Sequence, residues 1–313
     1  MLRTTFLALA AAAGLATAAP VERATAAPIE ERGGAWTLSA DVVAAWKPLA
    51  HYAAAVYCDP GTIWSWSCGT HCDSTGQLNV LATGGDNGYN PYYYVGTNGS
   101  HVIVSIAGTN PASVSSVGVD IDFPLTNVDS KYFPSASGVQ VHEGFYGAFT
   151  RMAGGIAPAV QNAVNSGTNQ VLVVGHSLGG AQGHLVATYL QKLLGSRATV
   201  TARLFASPRV GNQAWANYVD STLGNRAQHM VNNNDVVPQL PPADWGFQQS
   251  SNEIWIVTPG GSQYRACPGQ ENQSCQDGLG IVGAVANFAQ YLDVAVHLGP
   301  YVGVWLSSLE CAA

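Results

Sequence analysis

The sequence predicts an α/β fold in which helices flank a mostly parallel central sheet. After residue 78, β-rich and helix-rich segments alternate, and this order is typical of a doubly wound sheet with right-handed crossovers. The short apolar run at residues 171–174 has the composition of a strand buried on both faces. We therefore place that run at the centre of the sheet.

The individual elements follow in order along the chain. A helix is predicted over residues 41–57, with Ser39 as its N-cap and an interruption or restart at Pro48. A second helix over residues 178–194 carries its larger apolar side chains on one face and ends before Gly195. Strands are predicted at residues 78–82, 92–95, 101–106, 171–174, 200–205, 227–231 and 253–257.

The N-terminus has the features of an export signal. One positive charge is followed by an apolar stretch at residues 6–15 and then by small residues at 16–19. The apolar stretch is shorter than the ~20 residues that a membrane-spanning helix needs. We expect residues 1–19 to be a signal peptide, residues 20–34 a propeptide or frayed terminus, and residues 35–313 a single secreted, extracellular domain.

The charge of the chain argues against nucleic acid as a partner. Only 10% of the residues are charged and the formal net charge is −7, so no basic stripe is available to neutralise a phosphate backbone. The hydrophobic fraction of 47% fits a well-buried secreted protein. No pattern in the sequence indicates a cofactor or an obligate protein partner.

The six cysteines all follow the predicted signal peptide. An even number of cysteines in an exported chain predicts disulfides, here three of them. Short spacings favour two small closed loops, and the remaining two cysteines would join the ends of the domain. The favoured pairs are Cys68 with Cys72, Cys267 with Cys275, and Cys58 with Cys311.

The sequence contains one weak metal-binding pattern and two glycosylation sequons. Cys68, His71 and Cys72 have zinc-ligand residue types, but no second ligand pair stands at finger spacing and an oxidising environment disfavours free thiolates. We therefore expect no metal site. Asn98 and Asn272 begin Asn-x-Ser sequons and are predicted to be glycosylated.

The strongest functional pattern is Gly-x-Ser-x-Gly at residues 175–179, between a predicted strand and a predicted helix. A turn of this kind holds its serine in a strained conformation at the tip of a sheet, and its glycines avoid collisions with the strand and helix. The alternative is a tight glycine turn with an incidental serine. The position between strand and helix favours Ser177 as a nucleophile.

A serine nucleophile needs a histidine that takes its proton and an acid that orients this histidine. When such a serine sits on a strand–turn–helix, the chain order is serine, acid, histidine. The histidines after Ser177 are His184, His229 and His297. His184 lies on the same helix as Ser177, and His229 lies in a predicted strand, so both favour packing roles. His297 remains as the candidate base.

The acid is less well determined by order alone. Asp235 directly follows a predicted strand, so its side chain can project from the carboxyl edge of the sheet. The alternatives are Asp220, Asp244, Asp277 and Asp293. Asp220 is in mid-helix by pattern, and Asp293 is very close to His297. Order and position favour Asp235 and leave Asp244 and Asp277 open.

With these residues in view, the chain resembles the class 3 fungal lipases, which include triacylglycerol lipases of filamentous fungi and related feruloyl esterases. The matching segments are colinear and cover most of the mature chain: residues 53–58, 108–109, 141–145, 175–180, 207–212, 234–238 and 293–301. The resemblance implies an α/β-hydrolase fold and a catalytic triad of Ser177, Asp235 and His297. It agrees with the choice made from chain order.

The resemblance also implies an oxyanion hole and a lid. The hole would use the backbone N–H of Leu178 and a donor from Thr109, which follows a predicted strand. The alternative for Thr109 is an ordinary turn residue. Residues 111–125 resemble the family's lid over the active site. This lid is short and built from small residues, so we expect weak interfacial activation.

Three functions are compatible with these residues. A triacylglycerol lipase, acting at a lipid–water interface through an acyl-enzyme on Ser177, is favoured. A feruloyl esterase acting on plant cell-wall esters is the alternative, because residues 240–244 and 267–275 resemble that branch as well. A catalytically inert, surface-binding relative is disfavoured by the complete set of triad and oxyanion candidates. The expected substrate is an acylglycerol or an aromatic ester.

Overall fold

The computed structural model describes residues 34–86, 90–109, 124–280 and 292–312. The predicted signal peptide and nearly all of the predicted propeptide lie outside these residues. Most of the predicted lid also lies outside them. Among the described residues, no helix combines the length and apolar composition needed to cross a membrane.

The described strands form one large sheet and one small antiparallel pair. In chain order they are β1 (Trp36–Thr37), β2 (Asn79–Gly84), β3 (Tyr93–Thr97), β4 (Val102–Ile106), β5 (Leu125–Asn127), β6 (Gln140–His142), β7 (Gln170–His176), β8 (Thr199–Phe205), β9 (Ala227–Asn232), β10 (Glu253–Ile256) and β11 (Tyr264–Cys267). The large sheet has nine strands in the order β1-β11-β10-β9-β8-β7-β4-β3-β2. Its central strands β4, β7, β8, β9 and β10 are parallel, and antiparallel strands complete both edges.

The α-helices of the described residues flank this sheet. They are α1 (Ala40–Ala44), α2 (Lys47–Ala55), α3 (Pro60–Trp64), α4 (Thr70–Asp73), α5 (Glu143–Asn165), α6 (Leu178–Leu194), α7 (Gln213–Leu223) and α8 (Val294–Leu298). The helix predicted over 41–57 is two helices, and Pro48 lies in the first turn of α2 as proposed for a restart. The bounds predicted for α6 match the structure. No helix was predicted over α5.

Both faces of the central strands are covered, which explains their continuous apolar runs. In β7, Val171 and Val173 belong to the core on the side of α5, α6 and α7. Leu172 and Val174 belong to the second core, on the side of α2. Because successive side chains of a strand point to opposite faces, a strand buried on both faces has no polar alternation. The predicted central position of this strand is confirmed.

Three disulfides tie the chain together, with the pairs that the spacing favoured. Cys58 is joined to Cys311, 253 positions later in the sequence, and this bridge links the end of α2 to the C-terminus. Cys68–Cys72 and Cys267–Cys275 close loops with separations of 4 and 8 residues. The alternative in which Cys68 and Cys72 bind zinc as thiolates is wrong, because these two sulfurs are bonded to each other.

Candidate active site

Ser177 occupies the sharp turn between β7 and α6. Its backbone has φ 58° and ψ −128°, a conformation that is strained for a residue with a side chain. A Cβ on Gly175 would lie 2.1 Å from the carbonyl oxygen of Gly179, and a Cβ on Gly179 would lie 2.0 Å from that of Ile106. The two glycines therefore permit the close approach of strand and helix that presents Ser177 at the tip of the sheet.

Ser177, His297 and Asp235 form a continuous hydrogen-bonded row. The Nε2 atom of His297 lies 2.9 Å from the Ser177 Oγ, and its Nδ1 atom lies 2.8 Å from the Asp235 Oδ2. All three residues are buried. Because the carboxylate accepts a hydrogen bond from the Nδ1–H group, the neutral ring presents a lone pair on Nε2 to the serine hydroxyl. This geometry allows a proton to pass from Ser177 to His297.

The loop after β9 fixes the carboxylate of Asp235. Its Oδ1 atom accepts a hydrogen bond from the backbone N–H of Val237 at 3.0 Å, which leaves Oδ2 directed at His297. The side chain of Gln276 donates to the Asp235 backbone carbonyl at 2.6 Å. Both oxygens of the carboxylate are therefore occupied, and the side chain has one orientation in which it can hold the histidine ring.

Helix α8 carries His297, and three contacts hold this short helix in place. Asp293 caps it by accepting hydrogen bonds from the N–H groups of Ala295 and Val296. Asn232, the last residue of β9, donates to the carbonyl of Val296 at 2.8 Å. The backbone of the candidate base is thus anchored to the same strand that leads to Asp235.

A second row of hydrogen bonds runs behind the first and involves residues that were not singled out from the sequence. The backbone N–H of Gly108 donates to the Tyr57 hydroxyl at 3.0 Å, and this hydroxyl lies 2.8 Å from the Nδ1 atom of His176. The Nε2 atom of His176 lies 2.9 Å from the carbonyl oxygen of His297. The signal that could have identified this row is the position of His176 inside the Gly-x-Ser-x-Gly turn.

The directions of these hydrogen bonds follow from the protonation states. Burial, with a smaller contribution from the His297 ring, lowers the pKa of His176 well below its ordinary value, so this ring is neutral. A carbonyl only accepts, so Nε2 carries the proton and Nδ1 accepts from Tyr57. Burial also raises the pKa of Tyr57, which keeps its phenolic proton. Tyr57 and His176 therefore orient the backbone of His297 without carrying charge.

Gly108, two residues after the end of β4, lies beside the serine. A Cβ on Gly108 would lie 2.9 Å from the Ser177 Cβ, so this loop passes directly along the serine side chain. Leu178 is the first residue of α6, where N–H groups have no partner within the helix. The structure thus places Gly108, the residue before Thr109, next to Ser177, and the roles of Thr109 and Leu178 as oxyanion donors remain predictions.

The alternative histidines and acids have other partners. The rings of His184 and His229 pack edge to face with centroids 6.0 Å apart, and neither bonds to Ser177. Asp220 accepts hydrogen bonds from Ser251 and Gln270, and Asp277 pairs with Arg209. Asp244 is exposed in a short 3₁₀ helix. Asp293 accepts a hydrogen bond from the backbone N–H of His297 through its own backbone carbonyl, and within the described residues no carboxylate of an alternative acid is hydrogen-bonded to the His297 ring.

A buried charged cluster supports the loop that carries Asp235. Arg209 donates two hydrogen bonds to the carboxylate of Glu271, at 2.7 and 2.8 Å, and also donates to the carbonyl of Gln239. The side chain of Gln239 donates to Gln276, which in turn donates to Asp235. Because Arg209 presents a rigid planar fork, it joins the Cys267–Cys275 loop to the Asp235 loop in a defined geometry.

Glu253 lies at the edge of this cluster and is expected to make stability depend on pH. Burial raises the pKa of Glu253 to about 8, and the hydrogen bond from the Gln276 N–H opposes this shift in part. The carboxylates of Glu271 and Asp277 raise the pKa further by smaller amounts, and Arg209 lowers it. In the unfolded chain this carboxyl ionises near pH 4.5, whereas in the folded state it stays protonated up to about pH 8. The free energy of unfolding is therefore largest below pH 4.5, and it falls as the pH rises from there through 8.

The variant Glu253→Gln removes this titration, so its melting temperature should fall less between pH 5 and pH 9 than that of the wild type. Between pH 5 and pH 9 the wild type should lose on the order of 3 kcal/mol more unfolding free energy than the variant. Thermal melts across this pH range measure it, with the exposed Glu143→Gln as a matched control. Parallel pH profiles for wild type and Glu253→Gln would refute the role of this carboxyl.

Comparison with known proteins agrees with this geometry. Residues 103–245 match the family model of the class 3 lipases. A secreted mono- and diacylglycerol lipase of Malassezia restricta is 30% identical over 75% of this chain and 73% of its own length. The chain belongs to the class 3 lipase family.

Two further similarities extend the assignment. A secreted mono- and diacylglycerol lipase of Malassezia globosa is 32% identical over 63% of this class 3 lipase. The match spans 64% of that relative's own length, just under two thirds. The solved structure of a triacylglycerol lipase, whose catalytic centre is formed by a serine protease triad, superposes with a TM-score of 0.74. Its sequence is 26% identical, and the match covers 88% of this chain and 99% of that one. The α/β-hydrolase fold is confirmed.

Proposed function

We propose that this class 3 lipase is a secreted enzyme that hydrolyses acylglycerol esters through an acyl-enzyme on Ser177. The observation that carries the proposal is the row from Ser177 through His297 to Asp235 at the strand–helix turn. Family membership supports an ester as the substrate. The names of the Malassezia relatives, together with the signal-peptide pattern at residues 1–19, support secretion of a domain that begins near residue 35.

The reaction begins when His297 takes the proton of Ser177. The Oγ atom of Ser177 then forms a bond to the ester carbonyl carbon, and the carbonyl oxygen becomes an oxyanion that the N–H of Leu178 and the donor of Thr109 stabilise. Protonated His297 gives its proton to the glycerol oxygen as the ester C–O bond breaks. Water, activated by the same histidine, repeats the sequence on the acyl-enzyme and releases the fatty acid.

Asp235 acts throughout this cycle by holding the His297 ring and by stabilising its charged form. Its carboxylate lies on the Nδ1 side, opposite the side that exchanges protons with Ser177. Tyr57 and His176 hold the backbone of the same histidine from behind. We infer that this double support keeps Nε2 within hydrogen-bond distance of the serine while the proton moves twice in each half-reaction.

The substrate class is tested by comparing acylglycerols with an aromatic ester. Rates of the purified enzyme are measured on emulsified tri-, di- and monoacylglycerols of one chain length and on methyl ferulate, with Ser177→Ala as the inactive control. We expect kcat/KM to be higher on at least one acylglycerol than on methyl ferulate. A preference for methyl ferulate over all three acylglycerols would replace the proposal with feruloyl esterase activity.

A further inference from the structure

Three side chains from distant parts of the sequence meet next to the Cys58–Cys311 disulfide. His51 lies on α2, His71 lies on α4 inside the Cys68–Cys72 loop, and Glu310 lies in the short 3₁₀ helix before Cys311. The Nδ1 atoms of the two histidines are 3.2 Å apart, and the His71 Nδ1 is 3.9 Å from the Glu310 Oε2. One ligand atom from each residue lies within 4.8 Å of the others.

A hydrogen bond between the two rings accounts for only part of this arrangement. Both histidines are buried, with 5% and 0% of their surfaces exposed, and each directs Nδ1 at the other. One of these two nitrogens must therefore present a lone pair to the other. Within the described residues, the Nε2 atom of His71 forms no hydrogen bond of good geometry, and the backbone of Ser307 lies beside this ring.

The distance between the two imidazole nitrogens fits a tetrahedral metal ion. With metal–nitrogen bonds of about 2.0–2.1 Å, two nitrogens on one tetrahedral zinc ion lie roughly 3.3 Å apart. The two Nδ1 atoms are 3.2 Å apart. The Glu310 Oε2 lies 3.9 Å from the His71 Nδ1, so its side chain must move closer by roughly 0.6 Å to share a tetrahedral ion. Glu310 is the partly exposed member, with 34% of its side-chain surface accessible, which leaves room for this movement and a path for the ion.

From these positions we propose that His51, His71 and Glu310 bind a divalent ion of the zinc type, with water as the fourth ligand. Two imidazoles, one carboxylate and a water are a donor set that zinc accepts. The ion would join α2, the Cys68–Cys72 loop and the C-terminal segment. It would thus stabilise the same junction as the Cys58–Cys311 disulfide. This site departs from the expectation, drawn from the sequence, that the chain binds no metal.

The experiment uses the purified, untagged protein with its disulfides intact, after treatment with a chelator. Zn²⁺ binding is measured by calorimetry, Co²⁺ binding by its visible absorption, and the melting temperature as a function of Zn²⁺ concentration. We expect one ion per chain, a tetrahedral Co²⁺ spectrum, and a melting temperature that rises by roughly 5 °C at 100 times Kd.

The matched variants are His51→Gln and Glu310→Gln, with the exposed His101→Gln as the control. We expect each of the first two to weaken Zn²⁺ binding by at least about 100-fold, more than the loss of an outer-shell partner usually costs, and the control to bind like wild type. Ester hydrolysis by Glu310→Gln should remain at the wild-type rate, because Glu310 is outside the Ser177 site, and this shows that the variant is folded.

Three results would overturn the proposal. They are the absence of Zn²⁺ and Co²⁺ binding up to 1 mM, wild-type affinity in both His51→Gln and Glu310→Gln, or weakened binding in only one of these variants. The last result would show that the three residues do not share one ion. All three results are read from ion binding, which needs no substrate, and the melting temperature without Zn²⁺ also reports whether each variant is folded, so the outcome is independent of the proposed lipase activity.

Discussion

Replacing Ser177 by alanine is expected to lower kcat on an acylglycerol by about 10⁶-fold, since the variant cannot form the acyl-enzyme. His297→Ala should cost about as much, because the serine hydroxyl then has no base within hydrogen-bond distance. The double variant should lose no more than either single variant, since the residues of a triad act as one unit. Initial rates on emulsified tributyrin, titrated at constant pH, provide the measurement.

Asp235→Asn is the more discriminating member of this series. The amide keeps the size of the carboxylate but cannot hold the Nδ1 proton of His297 as a charged acceptor, so the ring is free to adopt the wrong tautomer. We expect kcat to fall by about 10⁴-fold with little change in melting temperature. The matched control is Asp244→Asn, because Asp244 is an aspartate of the same region that chain order left open and that is exposed in the structure.

The two aspartate variants together decide the assignment. Turnover by Asp235→Asn above a tenth of the wild-type value would show that another group orients His297. A large loss in Asp244→Asn at unchanged melting temperature would point to Asp244 instead.

The matched control for Ser177→Ala is Ser166→Ala, on an exposed serine at the end of α5. This variant should remain fully active, which excludes a general effect of removing a hydroxyl.

The parts of the fold that local pattern predicts well are those in which local and tertiary preferences agree. Residues 171–174 are apolar at every position because β7 is covered on both faces, and Gly195 ends α6 where it was expected. The turn around Ser177 could be located because a strand and a helix that approach so closely require glycine at fixed positions. Disulfide pairs could be inferred because two of the loops are very short.

Helix α5 shows where local pattern fails. Its 23 residues include several glycines and an internal proline, Pro158, and these residues lower intrinsic helix propensity. The helix forms because one face packs on the sheet: Phe149, Met152, Ile156 and Val160 are all buried in the core on that side. Tertiary packing therefore overrides local preference, and such an effect cannot be read from the segment alone.

The residues that support the active site could not be found from spacing either. Tyr57 and His176 are 119 positions apart, yet they share a hydrogen bond behind His297. The proposed metal ligands have the same property, because His51 and His71 meet Glu310 only after the C-terminus has returned to α2. Contacts of this kind depend on the path of the whole chain, whereas the Ser177 turn depends on a few neighbouring residues.

Loss of the Cys58–Cys311 disulfide is expected to produce the largest change in stability. This bridge closes a loop with a separation of 253 residues, so in the chain-entropy model it destabilises the unfolded state by about 5 kcal/mol. The double variant Cys58→Ser, Cys311→Ser should therefore melt roughly 10 °C below wild type. Turnover per folded molecule should stay near the wild-type value, because Asn232 and His176 hold the His297 helix without this bridge.

The comparison variant is Cys68→Ser, Cys72→Ser, which removes a bridge in the same part of the fold. That bridge closes a loop with a separation of only 4 residues, and the same model gives it about 2 kcal/mol. The expected order of melting temperatures is thus wild type, then this variant, then the Cys58/Cys311 variant. An equal loss in both would mean that native contacts around the bridges, and not the restriction of the unfolded chain, set their contribution.

Peptide mapping under non-reducing conditions checks the pairs themselves, and a peptide that linked Cys311 to a cysteine other than Cys58 would remove the basis of the prediction.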